Sequence, residues 1–207
     1  MRMDPAHAAS LFLPGLVHNF GNLLLTVQGH AMHLTGENLE ESQGVILRSV
    51  QRGTESLHAV RILLGEHTDA TGSALQLLRE LVELGRVGTR ERGLSLELRR
   101  AEGETFWVAA QPFVTVCARA LHSWVGSMPT GTAGAVTVDA AEDGRGRFGV
   151  TLKMEFEAGS LPFPLVIMET RDRVLSAALA ADIDCVTERL SDGLRISFGG
   201  GGGALIG

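Results

Sequence analysis

Two consecutive amphipathic helical patterns, separated by a short break and unable to enclose a core between them, constrain this chain more than any other feature. In the first, apolar residues fall at Leu13, Leu16/Val17, Phe20, Leu23/Leu24, Val27, Ala31 and Leu34, the three-and-four spacing of one helix stripe. Pro14 fits only in the first turn, so residues around Ala8 to Phe12 form a separate or kinked piece. Thr35-Gly36-Glu37-Asn38 stops the pattern. It resumes at Val45/Ile46, Val50, Leu57, Val60 and Leu63/Leu64, with Arg48, Gln51, Arg52, Glu55 and Arg61 between them. The expectation is an antiparallel helical hairpin over residues 1–66. It closes against a second copy as a four-helix bundle or against its own C-terminal domain, and a homodimer is favoured.

Gly65 to Ser73 has the small, polar composition of a linker, and the periods change beyond it. A helix is predicted from Ala74 to Val87, then strands from the alternation of Leu94, Leu96 and Leu98 and from Thr105 to Ala109. A second helix spans Pro112 to Ser127. A hairpin comes next, Ala135 to Ala140 and Phe148 to Phe156, around Glu142-Asp143-Gly144-Arg145-Gly146. A last helix, Arg171 to Ala181, precedes strands at Ile183 to Leu190 and Leu194 to Phe198. This order predicts an α+β chain: the hairpin, an α/β sandwich over residues 74–198 with helices on one face of a sheet, and a glycine-rich tail over 199–207.

Composition narrows the function classes. A net charge of −6 with no Lys/Arg cluster gives no footprint for nucleic acid. The absence of Tyr, with two Trp and eight Phe, leaves little for stacking platforms. No apolar run approaches the roughly 20 residues that span a bilayer, and Met1-Arg2-Met3-Asp4-Pro5 does not open an export leader, so a cytoplasmic location is expected. Cys117 and Cys185 lack metal-ligand spacing and read as small core residues.

One stretch of the first helix stands apart: His18-Asn19-Phe20-Gly21-Asn22, followed by Leu23-Leu24-Leu25. A neutral imidazole is a competent nucleophile toward phosphorus, and phosphoryl transfer asks mainly for positioning and charge stabilisation. Asn22 lies one turn after His18 on the same face. The stretch resembles the dimerisation and phosphotransfer helix of two-component sensor histidine kinases, whose box reads His, acidic residue, apolar residue, any residue, Asn or Thr. It matches at His18, Phe20 and Asn22 and departs at Asn19, which cannot accept a proton as a carboxylate would. The element order of the C-terminal half is similar to the ATP-binding domain of the same kinases.

The resemblance implies an ATP site, and its residues are replaced. Arg119 and Ser123 stand where the kinases carry the asparagines of a magnesium-holding helix, within Arg119-Ala120-Leu121-His122-Ser123-Trp124, followed by Met128-Pro129-Thr130-Gly131. Glu157-Ala158-Gly159-Ser160-Leu161-Pro162 stands where an Asp-x-Gly-x-Gly box belongs, and no glycine-rich lid precedes Arg171. The expectation is a degenerate kinase that binds no ATP and acts as a histidine phosphotransferase. His18 passes a phosphoryl group between receiver-domain aspartates, Asn22 orients it, and Asn19, Gly21, Leu25 and Gly29 dock the response-regulator receiver domain. No cofactor is expected beyond the Mg²⁺ that the receiver brings. Two other readings stay open: a response-regulator phosphatase in which Asn22 positions water, and a non-catalytic pseudokinase module that acts by occupancy.

The remaining histidines read otherwise. His30, His33, His58 and His67 show no metal-binding spacing and are expected to be partly solvated, and His122 beside Trp124 is expected at a packing boundary. Gly199 to Gly203 lacks the Lys-Ser/Thr and helix of a phosphate loop. Glu40-Glu41 and Arg86, Arg90 and Arg92 are expected to be solvated faces and interhelix connections, with docking of an acidic receiver domain as the alternative for the arginines.

Overall fold

A computed structural model describes residues 9–66, 70–102, 105–128, 133–143, 146–156 and 163–199. The two helices of the hairpin are α1 (Leu13–Met32) and α2 (Leu39–Leu63). Pro14 sits in the first turn of α1, where its missing N–H costs nothing. The reversal between them is tied by Asn38, whose Oδ1 accepts from Thr35 N at 2.8 Å and whose Nδ2 donates to His33 O at 2.9 Å. Past the C-terminus of α2, Gly65 takes φ 88°, the left-handed conformation that ends a helix without a Cβ penalty.

The seam between the two helices is largely polar. The line of α1 that faces α2 is Asn19, Leu23, Thr26 and His30, and it meets Ser42, Gly53 and Ser56 rather than an apolar stripe. Asn19 Nδ2 donates to Ser56 Oγ at 3.0 Å, and His30 Nδ1 lies 3.1 Å from Ser42 Oγ. Leu23 fills the space over Gly53 that a Cβ there would need. The apolar line Val17, Leu24 and Ala31 on α1 is exposed, and so are Val50 and Leu57 of α2 and Leu64 just past its end, seven residues apart. The buried apolar residues of the hairpin lie at its feet, Leu11 and Phe12 at its start and Ala59, Val60, Ile62 and Leu63 at its end, while Ser42, Gly53 and Ser56 are buried in the seam between the helices.

The feet sink into an α/β sandwich: β1 (Thr71–Ser73), α3 (Ala74–Arg90), β2 (Leu94–Ala101), β3 (Trp107–Ala109), α4 (Ala110–Gly126), β4 (Gly134–Glu142), β5 (Arg147–Phe156), α5 (Phe163–Ala180), β6 (Cys185–Arg189) and β7 (Gly193–Gly199). The main sheet runs β2-β4-β5-β7-β6, with β2 parallel to β4 and every other pair antiparallel. Strict alternation sends Leu94, Leu96, Val136, Val138, Val150, Leu152, Leu194 and Ile196 to the helix-covered face. Val138, Leu152 and Leu194 share one rung. Phe113 of α4 anchors the core edge-on to Phe198, with centroids 4.8 Å apart, and to Phe148 at 6.0 Å. The fold is the expected one, a helical hairpin followed by an α/β sandwich with helices on one face.

Three boundaries move. The end of the expected linker is the strand β1, paired antiparallel with β3, so Thr105–Ala109 contributes to a two-stranded ribbon and not to the main sheet. Ser73 closes β1 and caps α3, its Oγ accepting from Gln76 N at 3.4 Å. Helix α5 begins at Phe163, eight residues before the expected Arg171, because Pro164 opens its first turn instead of breaking it. Among the described residues no helix is long and apolar enough to cross a membrane.

Candidate functional site

His18 lies on the exposed face of α1, one turn beyond the buried foot. Its Nε2 is 3.0 Å from Asn22 Nδ2. An amide nitrogen only donates, so in this arrangement Nε2 is the acceptor and the ring proton sits on Nδ1. Two groups of the expected box are thus joined by the i, i+4 geometry of the helix. The bond points an amide donor at the Nε2 lone pair.

The surrounding face is nearly bare. Gly21 and Gly29 are exposed, with nothing within 4 Å of where a Cβ would stand, and Leu25 between them is 68% exposed. His18, Gly21, Asn22, Leu25 and Gly29 follow one face of α1, so a flat partner can approach the helix backbone on both sides of Leu25. Asn19 does not share this face. Its Nδ2 is turned inward to Ser56, joining the two helices, and the residue lines the cleft beside Asn22 instead of the exposed face.

Asn22 also lines a cleft of about 810 Å³ between the hairpin and the sandwich. Thr26 and Ser49 form the hairpin wall, and Gln76, Arg79 and Glu80 of α3 form the other. Glu80 bridges the two: its Oε2 lies 3.4 Å from His58 Nδ1 of α2, and its Oε1 accepts from Gln76 Nε2 at 2.9 Å. Arg86 closes the far end, pairing with Glu83 at 2.7 Å and donating from Nε to Leu96 O at 3.2 Å. The cleft is polar and its charges largely answer one another.

The helix that would hold metal and nucleotide in a kinase is α4. Ser123, 2% exposed, is bonded through Oγ to Thr170 Oγ1 of α5 at 3.1 Å, and Thr170 is fully buried. Trp124 and Val125 of α4 are buried in the same core as Val166, Ile167 and Val174 of α5. Arg119, on the line of α4 that holds Gln111 and Thr115, is partly withdrawn from water, and that burial lowers its pKa. Residues 129–132 and 157–162, where the kinase resemblance places further nucleotide-binding groups, lie outside the described residues, as do the tail from 200 and His67. Among the described residues no group of three His, Cys, Asp or Glu side chains is placed to hold a metal ion.

The sequence reading missed the polar seam of the hairpin. His30 and His58 are partly solvated, as expected, and each also has a partner across the hairpin or the cleft: one bonds Ser42 and the other faces Glu80. The signal was there in Ser42, Ser49 and Ser56, seven residues apart on α2, a polar line where an apolar one was expected. His122 is a boundary residue, 3.4 Å from Ser10 Oγ.

No family model matches the chain, and no curated protein matches it. Among solved structures, a bacterial phosphotransferase is similar at 15% identity and TM-score 0.39, covering 95% of this chain and 98% of that one. The histidine kinase domain of a blue-light-activated histidine kinase from Erythrobacter litoralis is similar at 10% identity and TM-score 0.47, covering 87% of this chain and 93% of that one. The Acinetobacter baumannii histidine kinase AdeS is similar at 9% identity and TM-score 0.45, covering 89% and 98%. With each TM-score below 0.5, none of these likenesses carries weight beyond the chain's own geometry.

Proposed function

We propose that this chain is a cytoplasmic histidine phosphotransferase of a two-component phosphorelay. His18 takes a phosphoryl group from one receiver-domain aspartate and gives it to another. The observation that carries this reading is the exposed His18–Asn22 pair, with Nε2 and Nδ2 3.0 Å apart, on a face of α1 left bare by Gly21 and Gly29.

In the transfer, the Nε2 lone pair attacks the phosphorus of the aspartyl phosphate. An N–P bond forms, the P–O bond to the aspartate breaks, and the carboxylate leaves with the bonding pair. The Asn22 amide swings from Nε2 to a phosphoryl oxygen as the lone pair is used, so its donor is never left without an acceptor. The Nδ1 proton stays on the ring, and return transfer reverses each step. Mg²⁺ arrives with the receiver domain. The Ser123–Thr170 bond and the apolar packing between α4 and α5 support a reading in which ATP plays no part. The exposed lines of Val17, Leu24 and Ala31 on α1 and of Val50, Leu57 and the C-capping Leu64 along α2 support a homodimer. The inner seam is largely serine, asparagine and glycine and leaves these apolar lines exposed, so a second copy is what would bury them.

The test is incubation with receiver domains phosphorylated on aspartate. Label should move to this chain as an acid-labile, base-stable phosphoramidate, and His18→Ala should abolish it. Unlabelled chain in the presence of competent receivers would sink the reading. A phosphatase is the second reading, and the placement of Asn22 at the mouth of the cleft favours it. Its signature is receiver dephosphorylation that survives His18→Ala and is lost in Asn22→Ala. Receiver binding that tolerates both substitutions without turnover marks the non-catalytic module.

A further inference from the structure

The two feet of the hairpin meet the sandwich in different ways. The α2 foot packs through Ala59, Val60, Ile62 and Leu63, as side chains pack in any core. The α1 foot meets α3 backbone to backbone. A Cβ on Gly15 would run into the Leu84 carbonyl oxygen, and one on Gly88 would run into the Leu11 carbonyl oxygen. At Gly85 a Cβ would stand 2.9 Å from Leu96 Cδ2 and 3.3 Å from Phe12 Cε1. Glycines on both partners let the helix axes approach to a distance that no side chain permits, and Phe12, 1% exposed, is driven into the sandwich core beside them. Farther along, His58 of α2 faces Glu80 of α3 across the cleft.

We infer that the sandwich is locked to the hairpin through the crossing at Gly15, Gly85 and Gly88, and stands as a fixed wall beside His18 rather than swinging toward it. Hinge motion needs loop residues that absorb the rotation, and shear needs side chains that slide over one another. The α1 foot offers neither, because its turn residues Leu11 and Phe12 are themselves buried in the sandwich core and Gly15, in the first turn of α1, packs directly on the Leu84 backbone. Any rotation must first separate carbonyl groups packed against glycine. The cleft next to Asn22 therefore keeps its width, and a partner seated at His18 meets α3 in a single orientation. The lock is geometric and does not depend on phosphotransfer through His18.

Spin labels at Gln28→Cys on α1 and Glu188→Cys on β6 of the full chain, in a Cys185→Ser background diluted with unlabelled chain, test it by pulsed electron paramagnetic resonance. One narrow distance is expected, unchanged by magnesium-ATP. A broad or two-peaked distribution in the otherwise native chain overturns the lock, whatever the variants do. Gly15→Ala and Gly88→Ala should each broaden the distance and speed amide exchange over Leu84 to Gly88 by about tenfold. Alanine raises helix propensity, so loosening against that trend reports the crossing and not the helix. Gly21→Ala, with open space around it, should change neither reading. A narrow distance and unchanged exchange in both Gly15→Ala and Gly88→Ala would show that the glycines do not hold the two parts together.

Discussion

Asn22 donates its side-chain amide to Nε2 of His18 at 3.0 Å, one helical turn away and in solvent, so the histidine carries an amide hydrogen bond before any partner arrives. The consequence is a fixed tautomer. With Nε2 accepting, the proton belongs to Nδ1, and the nitrogen that would attack phosphorus is the one the amide already touches.

Nitrogen-15 chemical shifts of the His18 ring read that tautomer directly. The native chain should show Nδ1 protonated and Nε2 bare. Asn22→Ala should restore the Nε2-protonated form that free imidazole side chains favour, and should slow transfer from a phosphorylated receiver by roughly tenfold to a hundredfold. An unchanged ring in Asn22→Ala would mean that the contact does not set the tautomer.

The inward turn of Asn19 makes a different kind of prediction. Its bond to Ser56 Oγ at 3.0 Å is partly buried and joins α1 to α2. Asn19→Ala and Ser56→Ala should each lower stability by about 1 kcal/mol in urea unfolding, and the double variant should cost less than their sum. Transfer through His18 should stay within about twofold once the fold is intact. A large loss of transfer with no loss of stability would return Asn19 to the partner surface.

Neighbouring leucines on α1 should separate two interfaces. Leu24 lies on the exposed apolar line with Val17 and Ala31, while Leu25 lies with His18, Asn22 and Gly29; the two are 64% and 68% exposed. On the proposed homodimer reading, Leu24→Arg should yield a monomer in sedimentation and leave receiver contacts in place. Leu25→Arg should leave the dimer intact and weaken receiver binding by about tenfold or more. Identical effects of the two substitutions would mean that one face serves both purposes.

These faces show what could and could not be read in advance. The spacing of apolar residues from Leu13 to Leu34 and from Val45 to Leu64 marked two helices and their reversal, because helix period is a local property. Which side of each helix turns inward is not local. The apolar line faces solvent in the single chain, and the inner seam is built from Asn19, Gly53 and Ser56, whose meeting depends on contacts 37 residues apart. The His18–Asn22 bond was legible because four residues on a helix fix its distance. The strand at Thr71–Ser73 was hidden by its linker-like composition, since its partner is the distant Trp107–Ala109 ribbon. The start of α5 was hidden because Pro164 can open a helix or end one, and only the burial of Val166, Ile167 and Val174 against the core decides between them.

The edge of the sheet supplies a test tied to pH. Cys185 begins β6, its Cα paired with that of Phe198, and burial pushes its thiol from an ordinary 9.0 to about 11; Asp184 adds to the rise and Arg147 opposes it. The thiolate is the reactive form, so at pH 8 Cys185 should react with a disulfide reagent far more slowly than a free thiol, with a rate rising about tenfold per pH unit until about 11. Cys117, whose thiol burial holds higher still, should stay inert while the fold persists. The same shift predicts the stability profile. The folded chain holds the proton more tightly than the unfolded one, so the contribution is complete below about pH 9 and is lost as pH rises through about 11. Cys185→Ser should remove that part of the alkaline fall in melting temperature. A native profile identical to that of Cys185→Ser between pH 8 and 11 would place the thiol in water and β6 loose at the edge of the sheet.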